Sequence, residues 1–403
     1  MGRKKLKVYT ASNVGIGYFL FLGKTLQAAG YQTEDIFLIN EDSYRRKAKV
    51  LGPKKIWLRI QMYMLYPFLL MYKAFTCKKE SIFIITSNTF YAPILTHFIL
   101  KVRGIKVIHL LYDLYPDALE IAGTIKYSAF WTNKMGALMR LSQRRCEATV
   151  YLGEYLRVHA ENRWGKPRIS KVIDISTDLS LYQENFESHL ADEKLIIHYG
   201  GQLGYLHDAV SIIESVKFIC QSDIAPLIDF NFYVSGAQAT FLEDSLKGYP
   251  VKIISAIPSD QWRKDINAFH IGLVSLSPGG ASVCLPSKTY GMMAGGLAIL
   301  AICPEWSDLS LLVKSLDAGW VINNSIYQKK EDMFGDRYIF KIQEKRSALE
   351  IAARFYDTLK SILNDKKCLS DKRQNSYHGV RSKFNIESLS EKWDGLIKEV
   401  YEN

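Results

Sequence analysis

Between Gly279 and Ala301 the chain reads Gly-Gly-Ala-Ser-Val-Cys-Leu-Pro-Ser-Lys-Thr-Tyr-Gly-Met-Met-Ala-Gly-Gly-Leu-Ala-Ile-Leu-Ala. It follows an apolar run, Phe269 to Leu276, that predicts a buried strand entering a glycine turn with Gly280 and Ser282 in it. After Pro286 the period changes: Tyr290, Met293 and Ala294 fall on one face of a short helix, which Gly295-Gly296 stop before a further strand, Leu297 to Ile302. A strand, a glycine loop and a helix start present backbone N–H groups and a positive dipole end to an anion. Ser287 and Lys288, in the first helical turn, would add a hydroxyl and an ammonium. A cation there opposes the helix dipole, so Lys288 makes most sense with an anion beside it. The same residues also describe an ordinary βαβ crossover carrying a surface lysine.

Two more groups of residues could do chemistry. Lys106 to Leu111 predicts a strand that delivers Tyr112-Asp113-Leu114-Tyr115-Pro116-Asp117 at its carboxyl end, where open α/β sheets bind ligands. Asp113 and Asp117 there serve an acceptor site, or cap the helix that begins near Pro116. Gly200-Gly201-Gln202-Leu203-Gly204 is a second glycine turn, between a strand at Leu195 to Tyr199 and a helix from about His207 to Cys220. The first turn of the chain, Ser12-Asn13-Val14-Gly15-Ile16-Gly17, holds half a dinucleotide fingerprint, with Leu20 at the third glycine position; alone it is weak evidence for NAD.

The elements that position these groups alternate strand and helix. Lys7 to Ala11, Gln32 to Leu38, Ile82 to Thr86, Ala148 to Leu152 and Lys171 to Ser176 read as strands of the first half, with a basic loop at Arg45 to Lys49. Phe230 to Val234 and Val251 to Ile254 continue the pattern in the second half, the latter ending in Ser255-Ala256-Ile257-Pro258. Two glycine-turn starts imply two doubly wound α/β domains, at residues 1–180 and 181–380, within the 403 residues. Residues 381–403 close with an amphipathic helix whose apolar face is Leu389, Trp393, Leu396, Ile397 and Val400, with Asn385 as its cap.

Charge separates the halves: the net +11 divides into +15 over residues 1–180 and −4 over the rest, so the first half expects an anionic partner. Nucleic acid would explain the charge, but no recognition motif accompanies it. The six cysteines form no C-x-x-C pair and the eight histidines no H-E-x-x-H, which fits a reducing compartment and no zinc site. The start runs directly into a strand, so no signal peptide is expected. Ser81 to Leu100 carries no formal charge, yet Pro93, His97 and a Thr-Ser-Asn-Thr turn make it a strand, turn and helix rather than a span. Ile60 to Tyr72 is too short to span, at ~20 Å of helix against ~30 Å of bilayer core. Its flanks are basic (Lys54, Lys55, Arg59, Lys73), with Trp57, Tyr, Met and Leu between them, which predicts a helix able to lie in a membrane interface; the same residues also describe a buried helix of the first domain, kinked at Pro67. Some of its apolar residues would face the core.

In order and spacing, several of these pieces resemble the GT-B-fold retaining glycosyltransferases that use nucleotide-sugars to build bacterial capsule and O-antigen. They are Asn13 to Gly17, Tyr112 to Asp117, Tyr199 to Gly204, Val234-Ser-Gly236, Leu285 to Gly295, Ala318-Gly-Trp-Val321 and the closing helix. The resemblance implies two Rossmann-like domains facing across a cleft, the second holding the nucleotide-sugar and the first the acceptor. The last helix would cross back to the first domain. It implies a donor set of Gly15, Gly17, Gly201, Gln202, Ser255, Ile257, Gly280, Ser282, Ser287, Lys288 and Tyr290, with backbone amides around Gly201-Gln202 and Gly280 to Ser282 on the diphosphate. Asn13, Tyr112, Asp113 and Asp117 would form the acceptor set. Metal independence is implied too, and no D-x-D occurs in the sequence. The chain departs from the family where two glutamates usually stand, at Val283 and Gly291. The usual basic pair is replaced near Gln202 and His207, and a common histidine by Tyr112. Lys288 is left as the main cation for a departing diphosphate.

The expected function is transfer of a sugar, UDP-linked, to a lipid-linked or polysaccharide acceptor at the cytoplasmic face of an anionic membrane, with no cofactor beyond the donor and no nucleic acid. Lys288 would stabilise the leaving group and Asp113 would orient or deprotonate the acceptor. The rivals are a catalytically weakened partner subunit and a nucleotide-sugar 2-epimerase.

Overall fold

A computed structural model describes residues 6–48, 53–183, 186, 194–255 and 257–402. Ala256 and Lys49 lie outside the described residues, as do the side chains of Arg45 to Ala48. The chain forms two compact units, residues 1–178 with 384–403, and residues 179–383. Each is an α/β layer structure on a six-stranded parallel sheet.

The sheet of the first unit has the order β2-β1-β3-β4-β5-β6. Its strands are Lys7–Ala11 (β1), Gln32–Ile36 (β2), Ser81–Thr86 (β3), Lys106–Leu111 (β4), Ala148–Tyr151 (β5) and Ser170–Val172 (β6). β3 is buried along its whole length, because a parallel strand covered by helices on both faces meets no water. Order reverses between β1 and β3, so their carboxyl ends, at Ser12-Asn13 and Ser87 to Thr89, open a crevice of the kind that binds ligands in such sheets. Helix α1 (Gly17–Ala28) follows β1, and α2 (Glu41–Ala48) occupies the segment read above as a basic loop.

The segment around Pro67 runs as helix from Pro53 to Thr76, in three pieces: α3 (Pro53–Ile60), a π-helical turn (Gln61–Leu65) and α4 (Tyr66–Thr76). The reason is local. Proline has no N–H to give the carbonyl four residues back, and its ring crowds that turn. The chain widens to a π-turn, closed by Tyr66 N–H to the Gln61 carbonyl. The carbonyls left over are taken by hydroxyls from beyond β3: Thr89 donates to Met62 at 3.0 Å and Tyr91 donates to Tyr63. Tyr66, Leu70 and Ala74 then pack against Phe83, Ile85, Ala92 and Leu100, which places α4 beside α5 (Ala92–Lys101) on one face of the sheet.

Helices α6 (Asp117–Ile121), α7 (Phe130–Arg145) and α8 (Glu154–Trp164) complete the layer structure, with α7 beside α5. The closing helix, Ile386–Glu402, belongs to this unit: Leu389, Trp393, Leu396, Ile397 and Val400 are buried as expected, and Asn385 accepts from Ser388 N–H at 2.8 Å as its cap. Tyr31 donates to Asp394 and Lys106 to the Val400 carbonyl, fixing its middle and its carboxyl end.

The second unit has the order β9-β8-β7-β10-β11-β12, with strands Leu195–Gln202 (β7), Ile228–Ser235 (β8), Val251–Ser255 (β9), Ile271–Ser275 (β10), Ala298–Ile302 (β11) and Gly319–Ile322 (β12). This is the dinucleotide-binding order, whose switch point falls between β7 and β10. Helix α9 (Ala209–Cys220) is capped by Asp208, which accepts from Ser211 N–H and from Asn324 Nδ2 at 2.9 Å. Asn324 also donates to the Leu276 carbonyl, so one amide ties the start of α9 to the end of β10.

Gly136 lies inside α7, where a Cβ would sit 2.2 Å from the ring of Trp164. That ring is fixed by its indole N–H, which donates to Asp117. Gly136→Ala therefore gains about 1 kcal/mol of helix propensity but meets an overpacking cost of about 1–3 kcal/mol. Urea unfolding should show a net loss of stability; a more stable variant would mean that Trp164 is free to swing away.

Candidate active site

In the second unit the site grows from the carboxyl end of β7. Gly201 adopts φ +101°, a conformation open to glycine, and turns the chain over the sheet edge. Lys288 opens the seven-residue helix α10 (Lys288–Ala294). Its Cδ lies 3.8 Å from the place of a Cβ on Gly201, its Nζ donates to Tyr199 Oη at 2.5 Å and to the Gln202 carbonyl at 3.2 Å, and it stands 3.8 Å above the Tyr199 ring. These partners are a phenol, a carbonyl and a π face. Among the described residues no carboxylate pairs with it. Partial burial lowers its pKa to about 7, as expected of an ammonium drawn out of water without a counter-anion.

His207 stands where a second cation was sought, and it is neutral. Its Nδ1–H donates to the Ser275 carbonyl at 2.5 Å, and burial together with the charge of Lys288 presses its pKa to about 3. Across the switch point the Gly279 to Ser282 turn is clamped to the β7 loop: Ser277 donates to the Leu206 carbonyl and accepts from Gly280 N–H. A Cβ on Gly280 would come within 2.2 Å of the Leu206 carbonyl oxygen, so glycine is needed for that approach.

The structure thus brings Gly201, Gln202, Gly280, Ser282, Ser287 and Lys288 to the β7–β10 switch point, but it corrects two expectations. The amides of Gly280 to Ser282 do not point outward: they bond Ser277 Oγ, the Ser277 carbonyl and the Gly279 carbonyl. A tight turn uses its own donors. Among the described residues the amides of Ser287 and Lys288 bond no carbonyl, which moves the expected amide contact to the start of α10. Tyr290 is 1% exposed and packs inside the unit rather than lining an open surface. Ser282 is also buried, its hydroxyl without a partner among the described residues. Ser255 and Ile257 stand at the end of β9, two strands from β7.

Sequence reasoning did not anticipate what fills the place of the absent glutamates. Val283 is buried, and a side chain on Gly291 would meet Tyr182 Oη at 2.9 Å and the Trp262 ring at 3.3 Å. Trp262, in the helix Ser259–Asp265, is held by its indole N–H donating to His198 Nε2 at 2.8 Å. His198 in turn donates through Nδ1 to the Asn231 carbonyl, and burial lowers its pKa to about 4. The available signal was Trp262 itself, an aromatic residue just after Ile257-Pro258.

In the first unit Asp113 follows β4. Ser87 pins it, accepting from the N–H groups of Tyr112 and Asp113 and donating to the Asp113 carbonyl at 2.8 Å. Burial raises the carboxyl pKa to about 6. Tyr112 is buried, edge-on to Tyr18 with ring centroids 4.9 Å apart. Tyr18 and Tyr63 both lie within electrostatic reach of Asp113, so the carboxyl group sits among phenols. Asn13 donates to Thr89 and to the Asn88 carbonyl, while its Oδ1 is buried without a partner among the described residues.

Asp117 is different. It is fully buried, and its oxygens accept from His159 at 2.7 Å, Arg163 at 2.5 Å and Trp164 at 2.7 Å. Burial alone would raise its pKa, but His159 and Arg163 hold it below the ordinary carboxylate value. This carboxylate joins α6 to α8 and shows no surface to an acceptor. Gly15 and Gly17 have local duties as well. A Cβ on Gly15 would strike the Phe37 ring at 2.8 Å, and Gly17 N–H donates to Glu41 at 3.0 Å, which closes the start of α1 with a carboxylate. Lys54, Trp57 and Arg59 are exposed on α3, Lys55 partly so, while Leu58 between them is buried.

Two Rossmann-like units of this kind, the second with its cation at the switch point, define the GT-B fold. No family model matches the chain. In sequence it is similar to the probable glycosyltransferase WbjE of Pseudomonas aeruginosa, 22% identical over 234 residues, which are 54% of this chain and 56% of that protein. In structure it is similar to Anabaena HepE in complex with UDP (TM-score 0.62, 11% identity, 98% of this chain and 100% of the other). It is also similar to S. aureus TarM in complex with UDP (TM-score 0.57, 14% identity, 82% of this chain and 58% of the other). The chain thus spans little more than half the length of WbjE and of TarM.

The two aspartates of one short motif should separate in the laboratory. Asp117→Asn removes the charge that Arg163 and His159 were built around and should cost about 3–5 kcal/mol in urea unfolding. Asp113→Asn removes a carboxylate whose ionised form burial disfavours, so stability should stay or rise. Equal stabilities for the two variants would contradict this division of labour.

Proposed function

We propose that the chain is a glycosyltransferase that moves a sugar from a nucleotide diphosphate sugar, UDP-linked, to a lipid-linked or polysaccharide acceptor in bacterial surface-glycan synthesis. The observation that carries this reading is Lys288: an ammonium held over Tyr199 at the switch point, with neutral partners and a pKa brought down to about 7. Such a group has the position and the unspent charge to receive a diphosphate. That HepE and TarM, which share the fold, were each solved with UDP supports the choice of nucleotide.

As the sugar–phosphate bond breaks, negative charge develops on the diphosphate, and Lys288 with the start of α10 would stabilise it. Asp113, ionised above about pH 6, would accept a hydrogen bond from the acceptor hydroxyl and draw off its proton. No bound metal is needed in this scheme, and retention of anomeric configuration is carried over from the resemblance. The exposed basic and aromatic face of α3 supports contact with the inner face of an anionic membrane, where a lipid-linked acceptor would lie. Among the described residues no helix is long and apolar enough to cross a membrane. The occupation of the Gly291 site by Tyr182 and Trp262 favours a second reading, a partner subunit with weakened chemistry. Release of free UDP from UDP-sugars by the isolated chain decides between the two.

Lys288→Ala should lower turnover roughly 10²-fold or more with the fold retained. Full activity would remove the assignment. The pH dependence of kcat/KM should be bell-shaped. Activity falls below about pH 6, where Asp113 takes a proton, and above about pH 7, where free Lys288 loses one. Bound diphosphate favours the ammonium, so the alkaline limb should move up or vanish in kcat. EDTA should leave turnover unchanged; a strict need for manganese or magnesium would contradict the scheme.

A further inference from the structure

We propose that α7 is a second membrane-contact element, and that with α3–α4 and α5 it makes one docking surface for an anionic lipid bilayer. The proposal rests on the membrane contact assigned to α3 above and extends it to a helix that neither the motif nor the resemblance singles out. Three observations carry it.

The first is placement. α4 lies beside α5 and α5 beside α7, so the three form one layer on one face of the sheet. Both the Pro53–Thr76 helix and α7 lead into strands that run parallel, β3 and β5. Their amino ends therefore lie toward the carboxyl edge of the sheet, the edge that holds Asp113.

The second is exposure. Phe130 and Trp131, at the amino end of α7, are 64% and 69% exposed. Trp57, Phe68, Tyr72 and Phe98 on the neighbouring helices are exposed by half or more. Large aromatic side chains in such number on one layer are what an interfacial surface presents and what a solvated surface avoids.

The third is charge. Residues 53–79 contain six Lys or Arg, residues 81–112 three and residues 121–146 five, and none of these segments contains Asp or Glu. Lys73 pairs with Glu34, Arg103 caps α4 and Lys106 holds the closing helix. The other eleven have no carboxylate partner among the described residues. On α7 they are Lys134, Arg140, Arg144 and Arg145, all exposed. A protein partner would call for fewer lysines at the centre of the patch, and nucleic acid would leave the outward Phe and Trp without a purpose. Basic residues beside aromatic ones match an anionic headgroup layer over acyl chains.

The test is sedimentation of the full chain at low salt with vesicles of equal parts phosphatidylglycerol and phosphatidylcholine, and with phosphatidylcholine alone. One variant carries Phe130→Ala, Trp131→Ala, Lys134→Glu and Arg140→Glu; a second carries Lys54→Glu, Lys55→Glu and Arg59→Glu. Each should lose at least tenfold in partitioning to the anionic vesicles, the combination should lose all binding, and neutral vesicles should bind weakly throughout. As a milder check, Trp131→Phe should reduce the quenching of protein fluorescence by brominated lipid. If the α7 variant partitions like wild type while the α3 variant is released, α7 is no contact and the membrane reading survives. Unchanged quenching in Trp131→Phe would also overturn the assignment of α7. If wild type binds neither vesicle, the membrane reading falls and this surface with it.

Discussion

A half-buried ammonium with no carboxylate partner among the described residues is the constraint around which the second unit is arranged. Moving Lys288 out of water is costly, and the neutral partners it has been given recover only part of the cost. The Tyr199 ring offers a π face, its hydroxyl and the Gln202 carbonyl accept hydrogen bonds, and the lowered pKa records the shortfall. Each of these depends on the turn at Gly201, whose positive φ lets the chain double back over its own tyrosine. That turn is braced from below by Asp208 and Asn324 and from the side by the Ser277–Leu206 contact. His207 stays neutral so as not to add a second positive charge.

The first unit solves the opposite problem, a carboxyl group drawn out of water, and solves it twice with different results. Asp117 is given three donors and becomes part of the framework. Asp113 is given burial without a cation, held by its backbone through Ser87, and so keeps a proton affinity close to neutrality. The first arrangement stabilises the fold and the second is poised to exchange a proton. One motif of six residues thus holds a carboxylate locked in hydrogen bonds and a carboxyl group of raised pKa side by side.

Much of the architecture was legible in the sequence, because strands such as Ser81–Thr86 and Ala298–Ile302 are continuous apolar runs and glycine turns mark their ends. The closing helix was legible from its 3.6-residue period, and its cap from Asn385. What could not be read depends on residues distant in the chain. The π-turn before Pro67 exists because Thr89 and Tyr91 satisfy carbonyls more than twenty residues away. The division between Asp113 and Asp117 is made by His159, Arg163 and Trp164, more than forty residues on. The amides of Gly280 to Ser282 were read as free because glycine turns often leave them so; here Ser277 and Gly279 take them. Composition singled out the basic and aromatic segment at Trp57, but not Phe130 and Trp131 of α7, which stand at its amino end, apart from Arg140, Arg144 and Arg145 in its last two turns.

The account stands or falls on whether the Lys288 site takes a diphosphate as a cation site should. Calorimetric titration of UDP at pH 8, repeated in buffers of different ionisation enthalpy, measures proton uptake on binding. With Lys288 near a pKa of 7 when free, most of the lysine is neutral at that pH. Binding should draw in close to one proton in the wild-type chain and close to none in Lys288→Met. Failure of UDP to bind, or binding with the same proton uptake in both proteins, would contradict the central claim.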